Sequence, residues 1–202
     1  EQVLRNMDRN TKILELQAKE EQHKDPRTIF YLAKTYFDMR TKEKDELALF
    51  LLQEYLEKSG WAEERANAWE YVANIYARRG NHKESIIALF EALKEFPNKH
   101  LLMLYLSREL AELKQFEQSD FWLETVLKMD PPKARTTIGN PLEVKFLAAS
   151  LKYNQAQRNL RLDDSIYWLK VRNEVGRLQD DGMLKTLIEA REMNEAAKKV
   201  FG

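Results

Sequence analysis

The chain has 202 residues, 44% hydrophobic and 33% charged, with Lys plus Arg and Asp plus Glu balanced at 33 each. That balance gives no overall field for nucleic acid or an anionic membrane, so no nucleic-acid partner is expected. The absence of cysteine excludes disulfides, thiolate metal sites and cysteine nucleophiles, and suits a cytoplasmic protein.

Residues 1–24 carry Val3, Leu4, Met7, Ile13, Leu14 and Leu16 among charges at roughly helical spacing, which predicts a leading or linker helix. Charged residues stand where a signal peptide needs an apolar stretch, and no apolar run reaches the roughly 18 residues of a membrane span. The opening at Glu1 rather than methionine suggests a piece of a larger protein.

Asp25 offers an N-cap and Pro26 suits a first helical turn, so a helix begins there and continues through the amphipathic run 29–37. The charged stretch 41–46 reads as an insert that lengthens the following turn. A second helix then carries Ala48, Leu52 and Tyr55, and Gly60 closes the unit. Further on, Trp69, Val72, Ala73, Tyr76, Ser85, Leu89, Ala92 and Pro97 return 34 residues later as Met103, Leu106, Ser107, Leu110, Ser119, Leu123, Val126 and Pro131. Gly80-Asn81 supplies the left-handed turn between the two helices of that unit.

This is the spacing of the tetratricopeptide repeat, a helix-turn-helix unit that buries its apolar face only by stacking on neighbours. The prediction is an all-α, right-handed superhelical solenoid of antiparallel helix pairs forming one domain, with units at about 26–63, 66–99 and 100–133. A loop follows at 134–141. A degenerate fourth unit spans 142–182, with Val144, Leu147, Ala148 and Leu151 on its first helix. Ile166, Leu169 and Val171 belong to its second, displaced by an insertion near 158–162. Asp180-Asp181-Gly182 reads as a turn. The stretch 183–202, with Leu184, Leu187, Ile188, Met193, Ala197 and Val200, reads as a C-terminal capping helix. Ala33, Ala73, Ser107 and Ala148 fall where paired helices approach closest, so a bulky replacement there would overpack the pair.

No catalytic constellation emerges, and no cofactor or metal is expected. His23, His82 and His100 lie in or beside turns or helix starts without metal-ligand spacing, and the six glycines are too scattered to cradle phosphate. Glu63-Glu64, Asp163-Asp164 and Asp180-Asp181 sit at helix starts or turns, where carboxylates meet the helix dipole, and read as caps.

The surface feature with binding potential is an aromatic series, Tyr31, Tyr71, Tyr105 and Phe146, at one offset on the first helix of the four units. With Arg27, Phe30, Lys34, Glu70, Asn74, Leu104, Arg108 and Lys145 it would line a concave groove of rings and charges suited to a peptide, a protein or a sugar-bearing ligand. The alternative is that the rings pack between successive helices. A carboxylate clamp of the chaperone-binding type is excluded. Its positions would fall on Phe30, Lys34, Tyr71, Leu101 and Tyr105, or on Glu70, Asn74, Tyr105, Leu142 and Phe146, and neither set can grip a carboxylate.

Asp25-Pro26-Arg27-Thr28-Ile29-Phe30-Tyr31-Leu32-Ala33-Lys34-Thr35-Tyr36 and Gly60-Trp61-Ala62-Glu63-Glu64 resemble blocks that follow the catalytic domain of bacterial family-2 glycosyltransferases, and Pro97 with residues 101–110 is similar to a third. The resemblance covers about 25–133. It implies a non-catalytic repeat region that positions an acceptor, mediates self-association such as a homodimer, or recruits a partner, since the family's metal-binding D-x-D pair is absent. The alternatives are a free-standing scaffold unrelated to sugars, or the acceptor-binding part of an intact glycosyltransferase.

Overall fold

The computed structural model describes residues 2–129, 141–176 and 180–201, and the side chains of 9–129, 143–176 and 180–199. Among them the regular structure is entirely helical: α1 (Gln2–Glu20), α2 (Pro26–Met39), α3 (Lys42–Lys58), α4 (Ala62–Arg78), α5 (His82–Glu95), α6 (His100–Glu112), α7 (Phe116–Lys128), α8 (Pro141–Arg158), α9 (Leu162–Val175) and α10 (Asp181–Phe201). The loop expected at 134–141 lies outside the described residues except for Pro141, which opens α8. Where the repetition predicts one domain, the described residues group into two compact units, one up to Leu102 and the other from Met103 onward. In repeat proteins each helix pair contacts only its neighbours, so packing is local rather than centred on one core.

In the first unit α1 packs on α2, with Ala18 buried, the Tyr36 hydroxyl donating to Glu15 Oε1 at 2.7 Å and Gln17 Nε2 donating to Thr28 Oγ1 at 3.1 Å. The start of α2 is fixed by its own sequence. Asp25 Oδ1 accepts from the Arg27 backbone N–H at 2.9 Å, Asp25 Oδ2 accepts from Thr28 Oγ1 at 3.4 Å, and Pro26 occupies the first turn. Arg40, at φ 55°, ends the helix in the left-handed conformation.

The stretch 41–46 is not a lengthened turn. Thr41 caps α3 by accepting from the Lys44 N–H at 3.3 Å, and Glu43 and Asp45 occupy the first turn, where the helix dipole favours carboxylates. The extra residues lengthen the helix instead. Asp45 is buried and paired with Arg78 of α4 at 2.5 Å. Between α4 and α5, Gly80 adopts φ +74°, the conformation expected of it.

The junction of α1, α2 and α3 is tied by Glu54, which accepts from Lys58 Nζ at 2.6 Å and lies 3.1 Å from His23 Nδ1. Burial raises the Glu54 carboxyl, but the hydrogen bonds from Lys58 and His23 outweigh it and hold the group below the ordinary carboxyl value of 4.5. A folded-state value depressed in this way contributes stability that is complete above the unfolded value and is lost as pH falls through the folded one. Urea melts between about pH 5 and about pH 3 should therefore show a shallower loss of stability in Glu54→Gln than in the wild type. An unchanged slope would remove Glu54 from the acid limb.

In the second unit, Leu123 and Val126 of α7 are fully buried and Ser107 Oγ meets Ser119 Oγ at 2.9 Å, a close approach that only small residues permit. Lys152 of α8 is buried against α7, with Nζ 3.1 Å from Asp120 Oδ1 and 3.3 Å from Glu124 Oε1. Ile166 and Leu169 form a core with Leu187 of α10, joined by Tyr153, Leu162, Leu184 and Ile188.

Three expectations for this unit need correction. There is no insertion at 158–162. A short turn containing Leu160 at φ 54° joins α8 to α9, and the extra length lies in α8, which has 18 residues. Leu147 is exposed rather than core. Asp181 and Gly182 are helical, because Asp180 caps α10 by accepting from the Met183 N–H at 3.3 Å. Only the first half of α10 covers the core, since residues 192–199, Met193 and Ala197 among them, are exposed.

Candidate functional site

On α2 the exposed Tyr31 carries the Arg27 guanidinium over its ring at 5.8 Å, and Lys34 pairs with Asp38 at 3.0 Å. Tyr31, Lys34 and Thr35 of α2 share a cavity of about 400 Å³ with Asn10, Ile13 and Leu14 of α1. A ring, a cation and an apolar wall thus meet at one open concavity.

Phe30, expected beside them on the surface, is buried, with its ring 5.0 Å from Tyr55, 5.7 Å from Tyr31 and 5.9 Å from Tyr71. It is a core residue that supports the site from beneath. Tyr71 of α4 is half-buried between Phe30 and Phe37, the latter at 4.7 Å, and Arg78 lies over Phe37 at 4.4 Å. Burial pushes the Tyr71 hydroxyl well above its usual range, and the nearby Glu70 and Asp38 carboxylates add to the shift. Tyr71 therefore serves packing first, and only its edge is available to a ligand.

The other expected residues of α4 are committed within the fold. Glu70 forms an ion pair with the buried Lys99, which also donates to Asn67, and Asn74 Nδ2 donates to the Glu70 backbone carbonyl at 2.9 Å. In the second unit Leu104 is buried, a further correction, whereas Tyr105 is half-buried with Arg108 over its ring at 5.0 Å. Lys145 lines a concavity with Trp168 and Val171, and the Phe146 ring lies on Gly176, where an added Cβ would meet it at 2.6 Å. Phe146 thus covers backbone rather than offering a free ring.

A second concavity of the first unit was not anticipated. Trp69, Val72 and Tyr76 of α4 floor a groove of about 540 Å³ whose walls are Leu49 and Leu56 of α3 and Ile87 of α5, with Glu57 and Glu84 also lining it. Ile87, which lines it, belongs to an exposed offset on the second helix of each unit. Two positions after the buried Ala48, Ser85, Ser119 and Ser165 stand Phe50, Ile87, Phe121 and Tyr167, exposed by 67, 63, 62 and 56%.

Among the described residues no helix is long and apolar enough to cross a membrane, and no three His, Asp or Glu side chains gather as metal ligands. No family profile and no curated protein matches the chain. Among solved structures it is similar to the crystal structure of MamA, at 16% identity and a TM-score of 0.62, covering 86% of this chain and 91% of that one. MamA is a tetratricopeptide-repeat protein, and the chain has the same class of fold, an all-helical repeat solenoid. At that identity the likeness shows the fold alone.

Proposed function

We infer that the chain is a non-catalytic protein-interaction module whose α1–α2 face receives a peptide segment of a partner protein. The carrying observation is the concavity beside Tyr31, where an exposed ring under Arg27, the Lys34 ammonium and the apolar Ile13 and Leu14 stand together. Tyrosine and arginine of this kind contribute most to binding when a partner desolvates them. A cysteine-free chain suits such a role in the cytoplasm.

The finer reading, the repeat region of a family-2 glycosyltransferase, rests on the sequence blocks at 25–36 and 60–64. Both have a local structural role. Asp25, Pro26 and Thr28 start α2, and Glu64 is buried as the acceptor of the Tyr55 hydroxyl at 2.8 Å. The blocks therefore report the needs of a helix pair, and a free-standing scaffold accounts for them equally well. Self-association and acceptor positioning remain the roles this finer reading would assign.

A photoreactive amino acid placed at Tyr31 should give protein adducts in the source cells, resolved by mass spectrometry, that diminish when Arg27 and Lys34 are both replaced by alanine. Because all these positions lie at the surface, the replacements should leave stability within about 0.5 kcal/mol of the parent. Adducts that are absent, or unchanged by the replacements, would refute the α1–α2 site.

A further inference from the structure

We propose that the groove formed by α3, α4 and α5 is a second docking site, and that its occupant is an amphipathic helix with lysine or arginine flanking its apolar face. Leu49, Gln53 and Leu56 stand at i, i+4 and i+7, one stripe of α3, and Ile87 faces the groove from α5 while being 63% exposed. Between these walls, Trp69 and Val72 give α4 an apolar floor. An apolar trough walled by two helices and floored by a third has the shape that receives apolar side chains spaced a helical turn apart.

The backbone chemistry selects a helix over an extended strand. The walls are α-helices whose N–H and C=O groups are used internally, so an extended segment laid across the apolar floor would leave its own peptide groups without partners, at a cost of about 1–3 kcal/mol each. A helix satisfies its backbone before it arrives.

The rim charges select basic flanks. Glu57 and Glu84 line the groove and have no ion-pair partner among the described residues, whereas Arg65, the cation of the lining, is paired with Glu95 at 2.7 Å. Glu84 stands in the first turn of α5, where the dipole favours it. Glu57 stands exposed in the last turn of α3, where the helix dipole disfavours a carboxylate, and the cation of that turn, Lys58, is engaged by Glu54 and does not compensate it. A cation on the docked helix would.

The site is separate from the α1–α2 face, so each can fail alone. Titration of the full chain with a fluorescent synthetic helix of leucine and lysine, followed by anisotropy, should give saturable binding. Its counterpart with glutamate for lysine should bind at least about tenfold more weakly. Glu57→Lys with Glu84→Lys should reverse that order, and Ile87→Asp should abolish binding of both peptides, while melts by circular dichroism remain those of the parent and Tyr31→Ala leaves both affinities unchanged. Absence of saturable binding of the leucine-lysine helix would overturn the proposal, as would equal affinity for the two peptides or failure of the charge reversal. So would a dimer, detected by light scattering and dissociated by Ile87→Asp, which would assign the groove to a second copy.

Discussion

Replacing Glu70 with alanine should lower the stability of the chain by about 3 kcal/mol, although that residue reads from the sequence as an exposed groove residue. Its carboxylate is the counter-ion of Lys99, whose side chain is 4% exposed, while that of Glu70 is 12% exposed. Taking the two charges out of water is tolerable only because they meet each other and Asn67, and truncating Glu70 leaves the ammonium buried with a single neutral acceptor. Urea melts should show the midpoint shifted at unchanged slope, and heating should show a fall in Tm of roughly 10 °C. The decisive comparison is Glu70→Leu with Lys99→Met. Removing both charges also removes their desolvation, so this pair should lie within about 1 kcal/mol of the wild type. If Glu70→Ala alone is nearly neutral, the pair is solvated and Glu70 returns to the surface.

That reassignment marks where sequence reasoning stops. The repeat offsets identify the close contacts correctly: Ala33, Ala73, Ser107 and Ala148 are all at most 1% exposed, because a fixed helix-pair geometry demands a small residue at one offset. They do not reveal that Lys99, beyond the end of α5, folds back onto a carboxylate 29 residues earlier. Periodicity gives the direction of a buried face but not its width. Phe30 and Leu104 adjoin the buried stripe of their helices and are drawn into the core, whereas Tyr31 is left outside. Charge-rich segments are ambiguous for a different reason. Residues 41–46 and Asp181-Gly182 suit a turn by composition, yet carboxylates behind a capping Thr41 or Asp180 suit a first helical turn equally, and cap geometry is what decides between them. The α3–α4–α5 groove depends on side-chain sizes across three helices, which no linear spacing expresses.

Leu52→Ala should cost about 3 kcal/mol, and Phe50→Ala, which deletes a larger side chain two residues away, should change stability by less than about 0.5 kcal/mol. Leu52 is fully buried in α3, so truncation both forfeits its transfer from water and leaves a cavity that its neighbours fill only in part. Phe50 is 67% exposed, so most of its ring is already in water and little is lost with it. Alanine is also the better helix former, which offsets part of what remains. Parallel urea melts distinguish the two. A Phe50→Ala cost comparable to that of Leu52→Ala would place the ring in the core and remove the outward face of α3 as a surface. The same alternation recurs along the chain, with Leu89, Leu123 and Leu169 at 0% exposure and Ile87, Phe121 and Tyr167 two residues before them at 56% or more. A large apolar residue kept in water at one offset in four successive helix pairs adds nothing to the core beneath it.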